Sequence, residues 1–136
     1  MAPEPDAVAT YLERIRAVTD AATQGPWEHP LDNEVTYGYR TDGSRHIATW
    51  IATVGEGDED ISEEQNDANA DFIAAARSYV PALLAAVEAV LRDHEPRTRI
   101  PPNRHYSICR ACSRIWPCAT VQDITSKLLS KGETGG

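Results

Sequence analysis

The run from Asn66 to Arg92, NDANADFIAAARSYVPALLAAVEAVLR, constrains the fold most, because no other stretch of the sequence can bury itself over such a length. Its periodicity predicts a helix. Phe72, Ala75, Tyr79, Leu83, Ala86 and Val90 recur at three- and four-residue steps, and Ile73, Ala76, Val80, Leu84, Val87 and Leu91 form a second line beside them. Two adjacent lines make a broad apolar face, expected to be core and also an interface. Asn66 and Asp67 stand where a short side-chain oxygen can accept from first-turn amides, which predicts the start of the helix. Pro81 has no N–H, and its ring meets the carbonyl four residues back. A kink near Arg77 within one continuous helix is therefore expected.

A chain of 136 residues suits one domain with a small appendage. No uninterrupted apolar run approaches the roughly 18 residues that a membrane span needs. The opening MAPEPDAVAT has neither a basic start nor an apolar signal core, so the expected location is the cytoplasm, away from membranes. Charge divides unevenly. Residues 1–96 carry 6 Lys and Arg against 19 Asp and Glu, a balance of −13, whereas residues 97–131 carry 7 against 1, a balance of +6. An acidic body disfavours phosphate-backbone binding there and leaves it possible for the tail.

Before the long helix, Pro5 to Ala22 reads as a first helix with Val8, Leu12, Ile15, Val18 and Ala22 on one face. Gln24-Gly25-Pro26 ends it, and Trp27 directly afterwards is read as an anchor on the core. From Leu31 to Val54 the period changes to two, and within residues 34–54 Val35, Tyr37 and Tyr39, then Ile47, Thr49 and Ile51, alternate around a Thr41-Asp42-Gly43-Ser44 turn. This predicts a hairpin, with a further strand near Trp27. His29 and His46 lie near or in these strands and could meet across the sheet, but His29-Pro30 reads more simply as an edge residue entering a turn. Residues 55–67, with seven carboxylates, read as an acidic loop without the spacing of a calcium loop. The expected fold class is α+β: an N-terminal helix, a β-hairpin or small antiparallel sheet, a long Pro-kinked helix and a small cysteine-bearing tail. The expected divisions are a body over 1–92, a linker over 93–104, a tail over 105–131 closing in a short helix, and a disordered end over 132–136.

The three cysteines all lie in the tail. An odd number fits a disulfide framework poorly and a metal site better. His105, Cys109, Cys112 and Cys118 supply four soft ligands within fourteen residues, a donor set suited to tetrahedral zinc. The two-residue gap between Cys109 and Cys112 lets both sulfurs bind from one tight turn, the fourth ligand is left open because an outside group could replace His105, and four protein ligands leave no position for a reactive water, so the zinc would be structural. The bland alternative is three reduced thiols beside Trp116 and Pro117. His94, just beyond the long helix, reads as a partner of the helix dipole. Neither a nucleophile elbow, nor a phosphate-cradling glycine loop, nor a His-Glu-x-x-His helix is present, which points away from an enzyme.

Thr23-Gln24-Gly25-Pro26-Trp27, then Asn69-Ala70-Asp71-Phe72-Ile73 running into Ala76-Arg77, then Val80-Pro81-Ala82-Leu83-Leu84 together resemble a group of small phage proteins. The group includes the Ead-type early proteins and the phage Thoeris anti-defence sponges, and the resemblance covers about residues 11 to 92. It implies a non-catalytic homo-oligomer in the cytoplasm of an infected bacterium that sequesters a cyclic nucleotide immune signal in pockets between subunits. Trp27 or Phe72 would stack the base, Asn69 would meet its edge and Arg77 would meet phosphate. Each also has a plainer structural use: Phe72 as core, Asn69 in the first turn, Arg77 in an ion pair. The cysteine tail looks like one found in small actinophage proteins. The reading from a different class is a host-takeover adaptor whose basic, zinc-bearing tail grips a host protein or nucleic acid.

Overall fold

The computed structural model describes residues 5–55, 59–97 and 106–132. The protein is α+β. Helix α1 (Pro5–Ala21) is followed by strands β1 (Trp27–Glu28), β2 (Glu34–Asp42) and β3 (Arg45–Thr53), the long helix α2 (Glu63–Asp93), short strands β4 (Pro96–Arg97) and β5 (Ile108–Cys109), and helix α3 (Ala119–Gly132). Contacts gather into two compact units. The sheet unit spans residues 18–83, and the cysteine unit combines residues 1–17 with 84–136. Helix α2 contributes residues to both units.

In the sheet unit, β1, β2 and β3 form one antiparallel sheet in that order. The hairpin closes through Gly43-Ser44 between the paired Asp42 and Arg45, and Gly43 takes φ 60°, a conformation glycine adopts without strain. Pairing shifts by a residue after Val35 and again between Tyr37 and Arg40, where Gly38 has φ 68°. Val35, Ala70 and Ala74 are the buried centre, with Trp27, Ile51, Ala52, Val54 and Ile73 packed on them. Trp27 therefore anchors the start of the sheet as expected. Its Nε1 donates to the Thr23 carbonyl at 3.0 Å, and Arg77 Nε donates to the same oxygen at 2.8 Å.

Helix α2 runs unbroken from Glu63 through Pro81 to Asp93, three residues earlier than expected. The cap is Ser62, not Asn66 or Asp67. Its Oγ accepts from the Gln65 amide at 3.2 Å, and Ser62 to Gln65 has the Ser-x-x-Gln spacing of a capping box. The end of the segment read as a loop is thus helical, because Glu63 and Glu64 suit the positive end of the helix dipole. The apolar face is also reassigned. Phe72, Tyr79 and Leu83 are 75%, 66% and 66% exposed. The small Ala70 and Ala74 pack instead, since they allow the helix backbone to approach Val35 closely. An 18-residue window of α2 has a mean hydropathy of 1.4 with 11% of it buried, so by length and composition this helix could cross a bilayer. That corrects the expectation of no such run, because an apolar average tolerates isolated charges.

The cysteine unit has a centre of Val8, Leu12 and Leu84, with Tyr11, Ile15, Val87, Leu91, Leu128 and Leu129 packed on it. Val18, expected on the same face of α1, is 70% exposed. At 100° per residue, position 19 and not 18 continues the line through 8, 12 and 15. Arg16 closes a bidentate pair with Glu88 at 3.1 and 2.5 Å, which holds the Glu88 carboxyl below its ordinary range.

His29 and His46 do not meet. The His46 ring stacks on Tyr39, whose hydroxyl lies 2.6 Å from His46 Nδ1. His29 Nδ1 lies 2.7 Å from Asp71 Oδ1, and its Nε2 faces the Asp32 carbonyl. Both partners are acceptors, so both ring nitrogens must carry protons, and the Asp32 carbonyl and then the Asp71 carboxylate raise this group above its ordinary 6.5. A raised folded value adds stability that is complete below 6.5 and disappears as pH rises through the folded value. Unfolding free energy measured by urea titration across that window should therefore fall with rising pH, and His29→Gln should flatten the fall. Equal pH dependence in both chains would refute an imidazolium at this position.

Candidate metal centre

Four donor side chains converge in the cysteine unit: His94, Cys109, Cys112 and Cys118, whose ligand atoms all lie within 4.8 Å of one another. His94 Nδ1 is 3.3 Å from Cys109 Sγ and 3.5 Å from Cys118 Sγ. Each is placed by a different element. His94 follows α2 directly, its amide still donating to the Val90 carbonyl at 3.0 Å, and its carbonyl accepts from Trp116 Nε1 at 2.9 Å. The chain then enters β4, and the pairing of Pro96 with Cys109 and of Arg97 with Ile108 brings residue 94 beside a cysteine fifteen positions later.

Cys109 ends β5 and opens a tight turn. Its carbonyl accepts from the Ser113 amide at 3.0 Å, its own amide donates to the Arg114 carbonyl at 2.7 Å, and Ser113 takes the left-handed φ of 60°. That turn curls the backbone around both sulfurs of the Cys-x-x-Cys pair. Cys118 immediately precedes α3, and its carbonyl accepts from the Gln122 amide at 2.9 Å.

Cys109 and Cys118 are buried in one cluster with Val121, with Trp116 and Leu91 packed against it, while Cys112 is exposed. Burial alone would push the Cys109 thiol up. The Cys112 amide and thiol, the Ala111 amide and His94 oppose it and bring the value down from 9.0 to about 6. Donors that favour the anion are what a metal-binding sulfur requires. Cys112 moves the other way. Although the Arg114 amide favours its thiolate, partial desolvation of the sulfur and the neighbouring Cys109 and Cys118 together raise it.

Three expected ligands, Cys109, Cys112 and Cys118, are thus together. His105, expected as the fourth, lies outside the described residues, and the imidazole in the group is His94. Sequence reasoning missed it because the pairing of β4 with β5 has no strong signature. The segment read as a linker has its first residues tied down, with the Arg110 amide donating to the Glu95 carbonyl at 3.0 Å and Arg110 Nη1 donating to the Glu95 carboxylate at 3.0 Å.

The residues expected to bind a nucleotide have other engagements. Trp27 and Arg77 share the Thr23 carbonyl, and Arg77 also packs its stem 3.0 Å from where a Cβ on Gly25 would sit. Asn69 accepts from Gln65 at 2.9 Å, and Phe72 is on the surface. A cavity of about 600 Å³ in the sheet unit is lined by residues that include His29, Asp32, Glu63 and Asp67, and by none of those four. Gly55 is required beside it: its φ is 68°, and a Cβ there would collide with the Asn66 side chain.

Fold and site together define an α+β protein with a Cys₃His group at the base of its C-terminal helix. No protein-family model, curated protein or solved structure matches the chain.

Proposed function

We propose that the protein is a non-catalytic adaptor whose C-terminal segment is held in shape by one zinc ion on His94, Cys109, Cys112 and Cys118, and which uses the surface around that ion to grip a host protein during phage infection. The convergence of three sulfurs and one imidazole carries this reading. In tetrahedral zinc, bonds of about 2.3 Å to sulfur and 2.0–2.1 Å to nitrogen put a nitrogen and a sulfur about 3.6 Å apart. The observed separations of 3.3 and 3.5 Å match that edge. Four protein ligands leave zinc no open position, so its contribution is to fix the turn, β4, β5 and the start of α3 around one point.

Fixing the turn presents Arg110, Arg114 and Ile115 outward, the last 63% exposed. Arginine beside a solvent-facing apolar side chain is the composition of a protein-binding hot spot. The acidic remainder of the chain opposes a polyphosphate partner, so a protein with an acidic rim is favoured over nucleic acid. The phage setting rests on the resemblance of residues 11 to 92. The test is pull-down from host lysate with the full chain, zinc-loaded and chelator-treated, and with Arg114→Glu. One host protein retained by the loaded wild type and lost from both others supports the reading, and equal retention by all three defeats it.

Nucleotide sequestration is the second reading, favoured by the exposed ring of Phe72 one turn beyond Asn69. Native mass spectrometry with a panel of cyclic nucleotides, cyclic ADP-ribose forms included, separates the two. Stoichiometric nucleotide uptake would put this reading first.

A further inference from the structure

The solvent side of α2 carries large apolar side chains that the fold leaves exposed. Phe72, Tyr79 and Leu83 are the large exposed side chains, with Val80 beside them at 40%. Taken with Ala76, positions 72, 76, 79 and 83 advance by four, three and four residues, and Ala86 and Val90 continue the same steps. A repeat averaging 3.5 residues is what keeps one side of a helix against another helix of the same repeat. Ala68, Ala75 and Ala82 run alongside at seven-residue intervals and allow close backbone approach.

We propose that this face of α2 packs against the same face of a second copy of the chain, making a two-fold homodimer through a helix–helix seam. The seam is self-complementary. Its large residues Phe72, Tyr79 and Leu83 alternate with the small Ala75, Ala76 and Ala82, so that a copy turned about a two-fold axis sets its bulky side chains over alanines.

The area is sufficient. An aromatic side chain buries on the order of 150–250 Å² when covered. At the observed exposures, Phe72, Tyr79, Leu83, Val80 and Val90 from two copies remove about 1,000 Å² from water before the alanines are counted. About 1,000 Å² is where specific interfaces begin. Lipid fits less well despite the helix's length and hydropathy. A spanning helix needs apolar surroundings around its whole circumference, whereas the other side of α2 holds Val35 through Ala70 and Ala74, and Arg77 is bonded to the Thr23 carbonyl. The inference is independent of the zinc reading, because none of these residues belongs to the Cys₃His group.

Sedimentation velocity of the zinc-loaded full chain over a wide concentration range tests it, with circular dichroism as a check on folding. Wild-type protein should sediment as two chains. Tyr79→Glu/Leu83→Glu and, on a separate turn, Phe72→Lys should each sediment as one chain with the helical signal kept. Ser78→Glu, an exposed neighbour off the seam, should remain a dimer. A wild-type monomer throughout would overturn the proposal, as would dimers of both seam variants. Flotation of wild-type protein with phosphatidylcholine vesicles, lost in the seam variants, would overturn it in favour of lipid.

Discussion

Removing the proposed zinc should collapse the C-terminal part of the chain while leaving the sheet unit folded. Excess chelator, or Cys109→Ser, leaves buried donors converging on nothing. Metal binding in small zinc modules is worth about 10–16 kcal/mol in apparent terms, comparable to the whole folding free energy of a domain, about 5–15 kcal/mol. Near-ultraviolet dichroism should change, because Trp116 is held by the His94 carbonyl and packs on the cluster. The helical signal of α3 should fall with it, since α3 begins at the residue after Cys118. His94→Ala should reduce bound zinc well below one ion per chain in elemental analysis, whereas His105→Ala should leave it unchanged. Full zinc in the His94 variant would remove that residue from the ligand set.

The next largest effect separates two neighbouring leucines. Leu84 is 5% exposed in the Val8–Leu12 cluster, so Leu84→Ala should cost about 2–5 kcal/mol through lost burial and the cavity left behind. Leu83 is mostly exposed, and Leu83→Ala measured on dilute protein, with the seam open, should stay within about 0.5 kcal/mol. Urea midpoints of the two variants decide it. Equal losses would mean that Leu83 is covered even in the single chain.

That pair also shows what was legible. Periodicity found α2, alternation and an Asp-Gly turn found the hairpin, and a Cys-x-x-Cys found half of the metal group, because each is a local pattern with a local cause. Burial of one line of α2 over another is not local. Phe72 and Tyr79 looked like core by size, yet Val35 accepts only the close approach of Ala70 and Ala74. Ser62 was hidden in a run of carboxylates that resembled a loop and instead caps the helix. His94 was read by its position at a helix end, and its role depends on a two-residue strand pairing with residues fourteen or more positions away.

The cysteine unit is assembled from the two ends of the chain, and this orders events at the ribosome. Val8 and Leu12 are synthesised well before Leu84, and Cys118 and then Leu128 and Leu129 follow later still. The continuous stretch 18–83 can close on itself while synthesis proceeds. Helix α1 therefore waits with its apolar side uncovered until Leu84 and then Leu128 and Leu129 have been made, so this unit closes after the stretch 18–83 can.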